Sequence, residues 1–426
     1  AVQIELNNLG DFSLVDELNN SKTMLPIVAR RYTIKNGALR YFAPSFIDAA
    51  SYSKIDSKSD NPRVLFYLAA GQDDEKVFYQ TASKSFSPLD IVVLCLNGSQ
   101  LRDAVTETQA LRRVGKNCQE LHGDPIAKRE YEDRLTAAEQ AEDRLLDTLI
   151  DTPESYEWFH NGAKSEVTNK RQLQEVLSTT LEKVYCKSPL IHNELINRDK
   201  PSAQAVSARN KLLYGMLHHS SEQDLGIEKF PAEKAIYRSV LFATGLHVNE
   251  DLHRSWEFIT PSKDGRKDTA NIRHLWKEIE AFLDSTEHEA KSFIELNKKL
   301  MAAPFGVKAG LLPVFYIAAY LLHSHEVAIY ENRRYKAVFT QEMLERFVKR
   351  PDEFTVQRFK IEGMRASIFE QYSQVIHKDS KPRTLLELAQ PLAGFMGGLP
   401  EFTQKSKRSL SREAFIANDR QKVVGF

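Results

Sequence analysis

The run Asp90-Ile91-Val92-Val93-Leu94-Cys95-Leu96 decides the fold class. A continuous apolar stretch of this length is the pattern of a strand covered on both faces. Upstream, Val64-Leu65-Phe66-Tyr67-Leu68 and Ala38-Leu39-Arg40-Tyr41-Phe42 are shorter strand signals of the same apolar and aromatic character. Between the last two strands, Glu75 to Ser83 is amphipathic and is preceded by the capping candidates Asp73 and Asp74. Residues 36–100 therefore read as a small β-α-β unit with a parallel sheet. Residues 1–35 read as a lead-in from a preceding domain, with Asp11 or Ser13 capping a short helix through Leu14, Val15 and Leu18.

Downstream the pattern turns helical. A helix from about Leu101 to Leu121 meets Gly123-Asp124-Pro125, where Asp124 caps a second helix and Pro125 takes its first position. Tyr131, Leu135, Ala138, Glu142, Leu145 and Leu149 then alternate four and three apart, the spacing of a coiled-coil seam that Glu142 interrupts. Residues 101–150 are thus expected to form an antiparallel αα-hairpin. Asn161-Gly162 marks a tight β-turn. The spacing predicts helices over Arg171–Val184, Pro189–Asn197, Ser202–His218, Pro231–Thr244, Thr269–Asp284 and Ala290–Met301. These fill a helical domain over 151–300. Val307 to Leu322 is the most apolar stretch, but it is too short for a bilayer and carries Lys308 and Pro313, so it reads as a buried core helix.

Residues 301–380 change character. Glu326–Tyr330 and Tyr335–Phe339 flank Glu331-Asn332-Arg333-Arg334 as a hairpin, Thr340 caps a helix over Gln341–Val348, and Phe354–Phe359 alternates like a strand. The order resembles a winged helix with its parts rearranged. Helices follow at about Glu362–His377 and Leu385–Phe395, and residues 381–426 end in a polar, basic tail. The expected fold is therefore mixed and predominantly α, with a β-α-β unit, a coiled-coil hairpin and a winged-helix-like element. No internal repeat recurs at a fixed period.

Lys and Arg total 58, as do Asp and Glu, so a protein that coats nucleic acid by overall positive charge is not expected. Cys95, Cys118 and Cys186 form no CxxC pair, which argues against a disulfide framework and for the cytoplasm. The first residues lack a secretory signal. An absent initiator Met and the abrupt end at Val423-Val424-Gly425-Phe426 suggest a processed product or a piece of a longer chain.

Catalytic signatures are missing. No glycines have Walker A spacing, there is no HExxH and no G-x-S-x-G elbow. Gly71 reads as a plain βα turn. His323, His325 and Glu326 are spaced wrongly for one metal on a helix face, and His218, His219, His247 and His253 read as helix-end or packed histidines. Glu278 and Glu280 read as a solvated helix face. Basic clusters are the better candidates: Arg333 and Arg334 at the hairpin turn, with Lys349-Arg350, Arg358 and Lys360 following nearby, and Lys405, Lys407, Arg408 and Arg412 in the tail. Phosphate binding needs such charges on one face.

Four strings carry a family resemblance: Thr33–Phe42 (TIKNGALRYF), Ile191–Arg198 (IHNELINR), Pro304–Lys308 (PFGVK) and Leu399–Arg408 (LPEFTQKSKR). Together they resemble the region that follows the ATPase domain in large bacterial P-loop ATPases of phage-defence islands, the BREX-type BrxC/PglY-like proteins. The resemblance implies a non-catalytic scaffold or sensor region. ATP and Mg would belong to an ATPase domain upstream of Ala1, with no cofactor in this chain. The implied partners are other defence proteins, a second copy of the chain, and DNA; no membrane is implied. Two alternatives from other classes are a stand-alone nucleic-acid enzyme built on the α/β unit and a winged-helix DNA-binding regulator. The enzyme needs Asp73, Asp74 and Asn97 to converge in one cleft; the regulator needs Arg333, Arg334 and Lys360 on one face.

Overall fold

A computed structural model describes residues 2–359, apart from 9–12, 22–23, 56–60, 83–86, 119–122, 250–254, 262–267, 325 and 337–338. The expected helices over 362–377 and 385–395, and the basic tail, lie outside the described residues. The fold is mixed α/β and mostly helical. Where the sequence reading divides the chain into six segments, the chain packs as two compact units: 1–35 with 39–186, and 36–38 with 187 onward.

The first unit is built on a six-stranded sheet in sequential order: β1 (Ile27–Val28), β2 (Tyr41–Ile47), β3 (Arg63–Leu68), β4 (Asp90–Cys95), β5 (Glu157–His160) and β6 (Ala163–Ser165). Strands β2, β3 and β4 run parallel, as expected, while β1, β5 and β6 add antiparallel edges. The unbroken apolar run of β4 has a direct cause. Ile91, Val93 and Cys95 face one core, with Phe66 and Trp158, and Val92 and Leu94 face another, with Tyr67 and Phe78. Alternation is lost because both faces are covered. Phe78 opens a π-helical turn, Phe78–Ala82, that continues the helix Gln72–Val77.

The lead-in joins the same core. Leu14, Val15 and Leu18, on a helix over Leu14–Ser21 that Ser13 caps through Asp16 N–H, are buried with Phe42 and Phe46. The αα-hairpin consists of helices Gly98–Asn117 and Pro125–Asp151, with Asp124 accepting from Ile126 and Ala127 N–H. Its base rests on the sheet through Leu101, Val105, Leu146 and Leu149. On the second helix Ala138, Glu142, Leu146 and Leu149 are buried, whereas Leu145 is half-buried. Asn161 and Gly162 turn β5 into β6 with φ of 49° and 75°, the left-handed pair that Asn-Gly favours.

The second unit surrounds the helix Leu312–Leu322, buried from Leu312 to Ala319. Its apolar character on every side is that of a central core helix. Around it pack helices Ala203–His218, Arg273–Asp284, Phe293–Met301 and Gln341–Lys349. A four-stranded sheet ordered β11 (Arg334–Lys336), β10 (Val327–Glu331), β12 (Phe354–Arg358) and β9 (Lys291–Ser292) completes the core, with a separate β7–β8 pair at His247–Val248 and Glu257–Phe258. Among the described residues no helix is long and apolar enough to cross a membrane.

One expected helix is overturned. Pro189–Asn197 forms turns and extended chain. Asn193 Oδ1 accepts from Leu195 and Ile196 N–H, and Asn197 Nδ2 donates to Ile191 and Gly37 carbonyls. Asn side chains satisfy the backbone in place of helical bonds. The strand expected at Ala38–Phe42 begins instead at Tyr41, because Asn36–Ala38 belong to the second unit.

Candidate nucleic-acid interface

The hairpin β10–β11 turns through Asn332 and Arg333, with φ of 51° and 64°. Glu331 pairs across the ladder with Arg334, and Asn332 N–H donates to the Glu353 carbonyl at 2.9 Å, which ties the turn to the start of β12. The turn is therefore fixed by backbone bonds on both sides.

Charge is divided unevenly around it. The Glu331 carboxylate is nearly buried, its side chain 8% exposed, and it takes two bases. Arg346, on helix Gln341–Lys349, donates from Nε at 2.5 Å and Nη2 at 3.2 Å, and Lys336 Nζ lies at 3.0 Å. The Arg346 hydrogen bond, aided by Lys336 against the opposing effect of burial, holds the Glu331 carboxyl below its ordinary value. Arg350 is paired with Asp352 and Glu353. Arg333 and Arg334 are exposed, and among the described residues no carboxylate pairs with either. Lys349 is also exposed and lies three residues from Arg346, on the same side of the helix.

Arg358 goes elsewhere. Its guanidinium bonds Glu326 Oε2 at 3.0 and 2.8 Å, Asp284 Oδ1 at 3.0 Å and Glu280 Oε2 at 3.4 Å. His323 Nε2 meets the other Glu280 oxygen at 2.7 Å, and Trp276 Nε1–H donates to that same oxygen at 3.1 Å. Burial pushes the Glu280 carboxyl up, but His323, Arg358 and Trp276 together hold it below its ordinary value. This cluster ties helix Arg273–Asp284 to the end of the β10–β12 pair where Val327 lies opposite Arg358, so Arg358 is committed to the fold and not grouped with Arg333 and Arg334. Lys360, Lys405, Lys407, Arg408 and Arg412 lie outside the described residues.

The remaining candidates have structural partners. At the ends of the parallel strands, Asp73 is solvent-exposed and pairs with Lys76, Asp74 Oδ2 accepts from Ala70 N–H, and Asn97 donates to Tyr156 Oη. Each has a separate partner. His247 sits in β7 rather than at a helix end, bonded to Tyr237 Oη and the Ser220 carbonyl, and burial pushes its pKa down. His218 packs against the Tyr214 ring, His219 pairs with Glu222, and Glu278 pairs with Lys299. His253 and His325 lie outside the described residues, among which no group of three or more His, Cys, Asp or Glu is arranged to hold a metal.

Sequence reading misses one convergence. Gly37 of the string Thr33–Phe42 meets the string Ile191–Arg198 within the second unit, and the chain at Lys308 and Gly310 packs against residues 198 and 199. Asn197 Nδ2 donates to Gly37 O at 2.9 Å, Gly310 N–H donates to Arg198 O at 2.9 Å, and Lys308 pairs with Asp199 at 2.6 Å. Arg209, 5% exposed, donates to Gly310 O at 3.1 Å, and burial pushes its pKa down to about 10. The paired Asn side chains were the one legible signal. No family model, curated protein or solved structure matches this chain.

Proposed function

We propose that this chain is a non-catalytic recognition region of a bacterial phage-defence ATPase, with the β10–β11 hairpin as its DNA-contacting element. The observation that carries the reading is the unequal pairing at the hairpin: Glu331 takes Arg346 and Lys336, while Arg333 and Arg334 remain exposed at the turn. Backbone-anchored cations without carboxylate partners suit phosphate contact, which positions a protein on DNA without reading its sequence. In this reading β10, β11, helix Gln341–Lys349 and β12 act as a winged-helix-like unit with its wing at Arg333. The αα-hairpin acts as a coiled-coil arm for other defence proteins or a second copy. The chain works in the cytoplasm, and ATP and Mg are handled by a domain outside it.

The test is anisotropy of a labelled DNA duplex with the full chain, titrated from about 50 to about 200 mM salt. Affinity should fall linearly on logarithmic axes. Arg333→Ala with Arg334→Ala should weaken binding about tenfold or more and reduce the slope by about 2, one for each phosphate that is no longer neutralised. Arg31→Ala, in the first unit, should leave both unchanged. Binding insensitive to salt, or a double variant indistinguishable from Arg31→Ala, would overturn the reading.

A further inference from the structure

In the second unit the loop 220–226 lies against β7 in a conformation its residues disfavour. Asp224 and Leu225 hold φ of 52° and 53°, and Gly226 follows at 67°. Left-handed backbone is costly for residues with a Cβ, and a run of it persists only where contacts over-determine it. Three contacts do so here. Leu225 is buried. Asp224 pairs with Lys234 at 2.9 Å and lies 4.0 Å from Arg238. His247 Nε2 meets the Ser220 carbonyl at 2.8 Å.

The imidazole works as a two-sided clamp. It is fully buried among the rings of Tyr237, Trp256 and Phe258. A carbonyl only accepts, so Nε2 carries the proton. Nδ1, 2.9 Å from Tyr237 Oη, then accepts the phenol O–H. Tyr237 ends the helix Ala232–Tyr237, so the ring joins that helix to the loop. A second proton has no place. It would set N–H at Nδ1 against the phenol O–H, and the buried Tyr237 has no other acceptor among the described residues. Burial pushes the His247 pKa down, against the Ser220 carbonyl and the Asp224 carboxylate, which Lys234 and Arg238 share. The other charged residues nearby are directed elsewhere: His219 and Glu222 pair with each other, both half-exposed, and Glu257 on β8 is exposed.

We propose that His247 is a proton-operated latch: protonation at Nδ1 breaks the Tyr237–His247–Ser220 relay and releases the left-handed loop 220–226. Release also withdraws Asp224 from Lys234 and Arg238, two cations that lie over the exposed Phe230 ring. A histidine with a lowered folded value contributes stability above its unfolded value, here 6.5, and loses it as pH falls toward the folded value. The latch is therefore closed at neutral pH and opens on acidification. It involves no DNA and stands apart from the β10–β11 hairpin.

Hydrogen exchange of the full chain tests this, read by mass spectrometry and corrected for the intrinsic effect of pH on exchange. Between about pH 7.5 and about pH 5.5, exchange in 220–226 should quicken at least about threefold and recover on return, while helix Leu312–Leu322 stays protected. Glu222→Gln removes the partner of His219 and should leave the response intact. His247→Gln cannot titrate in this range and should abolish it. The latch is overturned if the wild-type loop does not respond to pH, or if loop and central helix lose protection together. It is equally overturned if Glu222→Gln abolishes the response or His247→Gln retains it. The wild-type readings decide the matter even where His247→Gln fails to fold.

Discussion

Arg333 holds a left-handed φ of 64° in a position where glycine is conformationally cheapest. An L-residue there costs roughly 1–2 kcal/mol relative to its relaxed conformation. Arg333→Gly should therefore raise stability by about 1 kcal/mol in chemical denaturation while weakening DNA binding in the anisotropy assay. Stability and binding then move in opposite directions, which a purely structural arginine would not produce. Glu331 gives a second residue-scale test. Its folded pKa lies below the ordinary 4.5, so its contribution is present above that value and is lost as pH falls through the folded value. The urea midpoint of the wild type should drop below about pH 4.5, and Glu331→Gln should start lower and decline less steeply. Asn161-Gly162 was legible because both residues favour φ above zero. The turn at Asn332-Arg333 was legible only as a cluster of polar residues between apolar runs, since nothing in an arginine announces a left-handed backbone.

At the scale of elements, the αα-hairpin separates packing from surface charge. Leu149 is fully buried against the sheet, whereas Arg134 pairs with Glu107 across the two helices with both side chains about half exposed. Leu149→Ala should cost about 2–5 kcal/mol of unfolding free energy, against less than about 1 kcal/mol for Arg134→Ala. The elements read correctly were those with a local signal: Asp124-Pro125 at a helix start, Thr340 as a cap, the apolar run of β4. Pro189–Asn197 failed because its apolar spacing fits a helix while Asn193 and Asn197 bond the backbone themselves. The Gly37 partner of Asn197 lies 160 residues upstream and no local window contains it.

Over the whole molecule, the zero charge sum conceals a division of labour. Glu280, Asp284 and Glu326 surround Arg358, and Glu331 takes Arg346 and Lys336. The convergence around Gly310 is the clearest tertiary requirement. A Cβ there would lie 2.1 Å from the Ile196 carbonyl oxygen, a clash with backbone that cannot rotate away. Gly310→Ala should destabilise the second unit by about 1–3 kcal/mol, read as a lower melting temperature with loss of near-ultraviolet ellipticity. The sequence by itself determined the mixed α/β class, the parallel strands, the long helical hairpin and the central apolar helix, because apolar period and capping act within a few residues. Only the tertiary structure decided which of the basic residues are spent on carboxylates and which stay exposed, and that Asn36–Ala38 join the second unit. The outcomes for Arg346, Arg358 and Asn197 depend on partners 15 to 160 residues away, whose proximity is set by core packing.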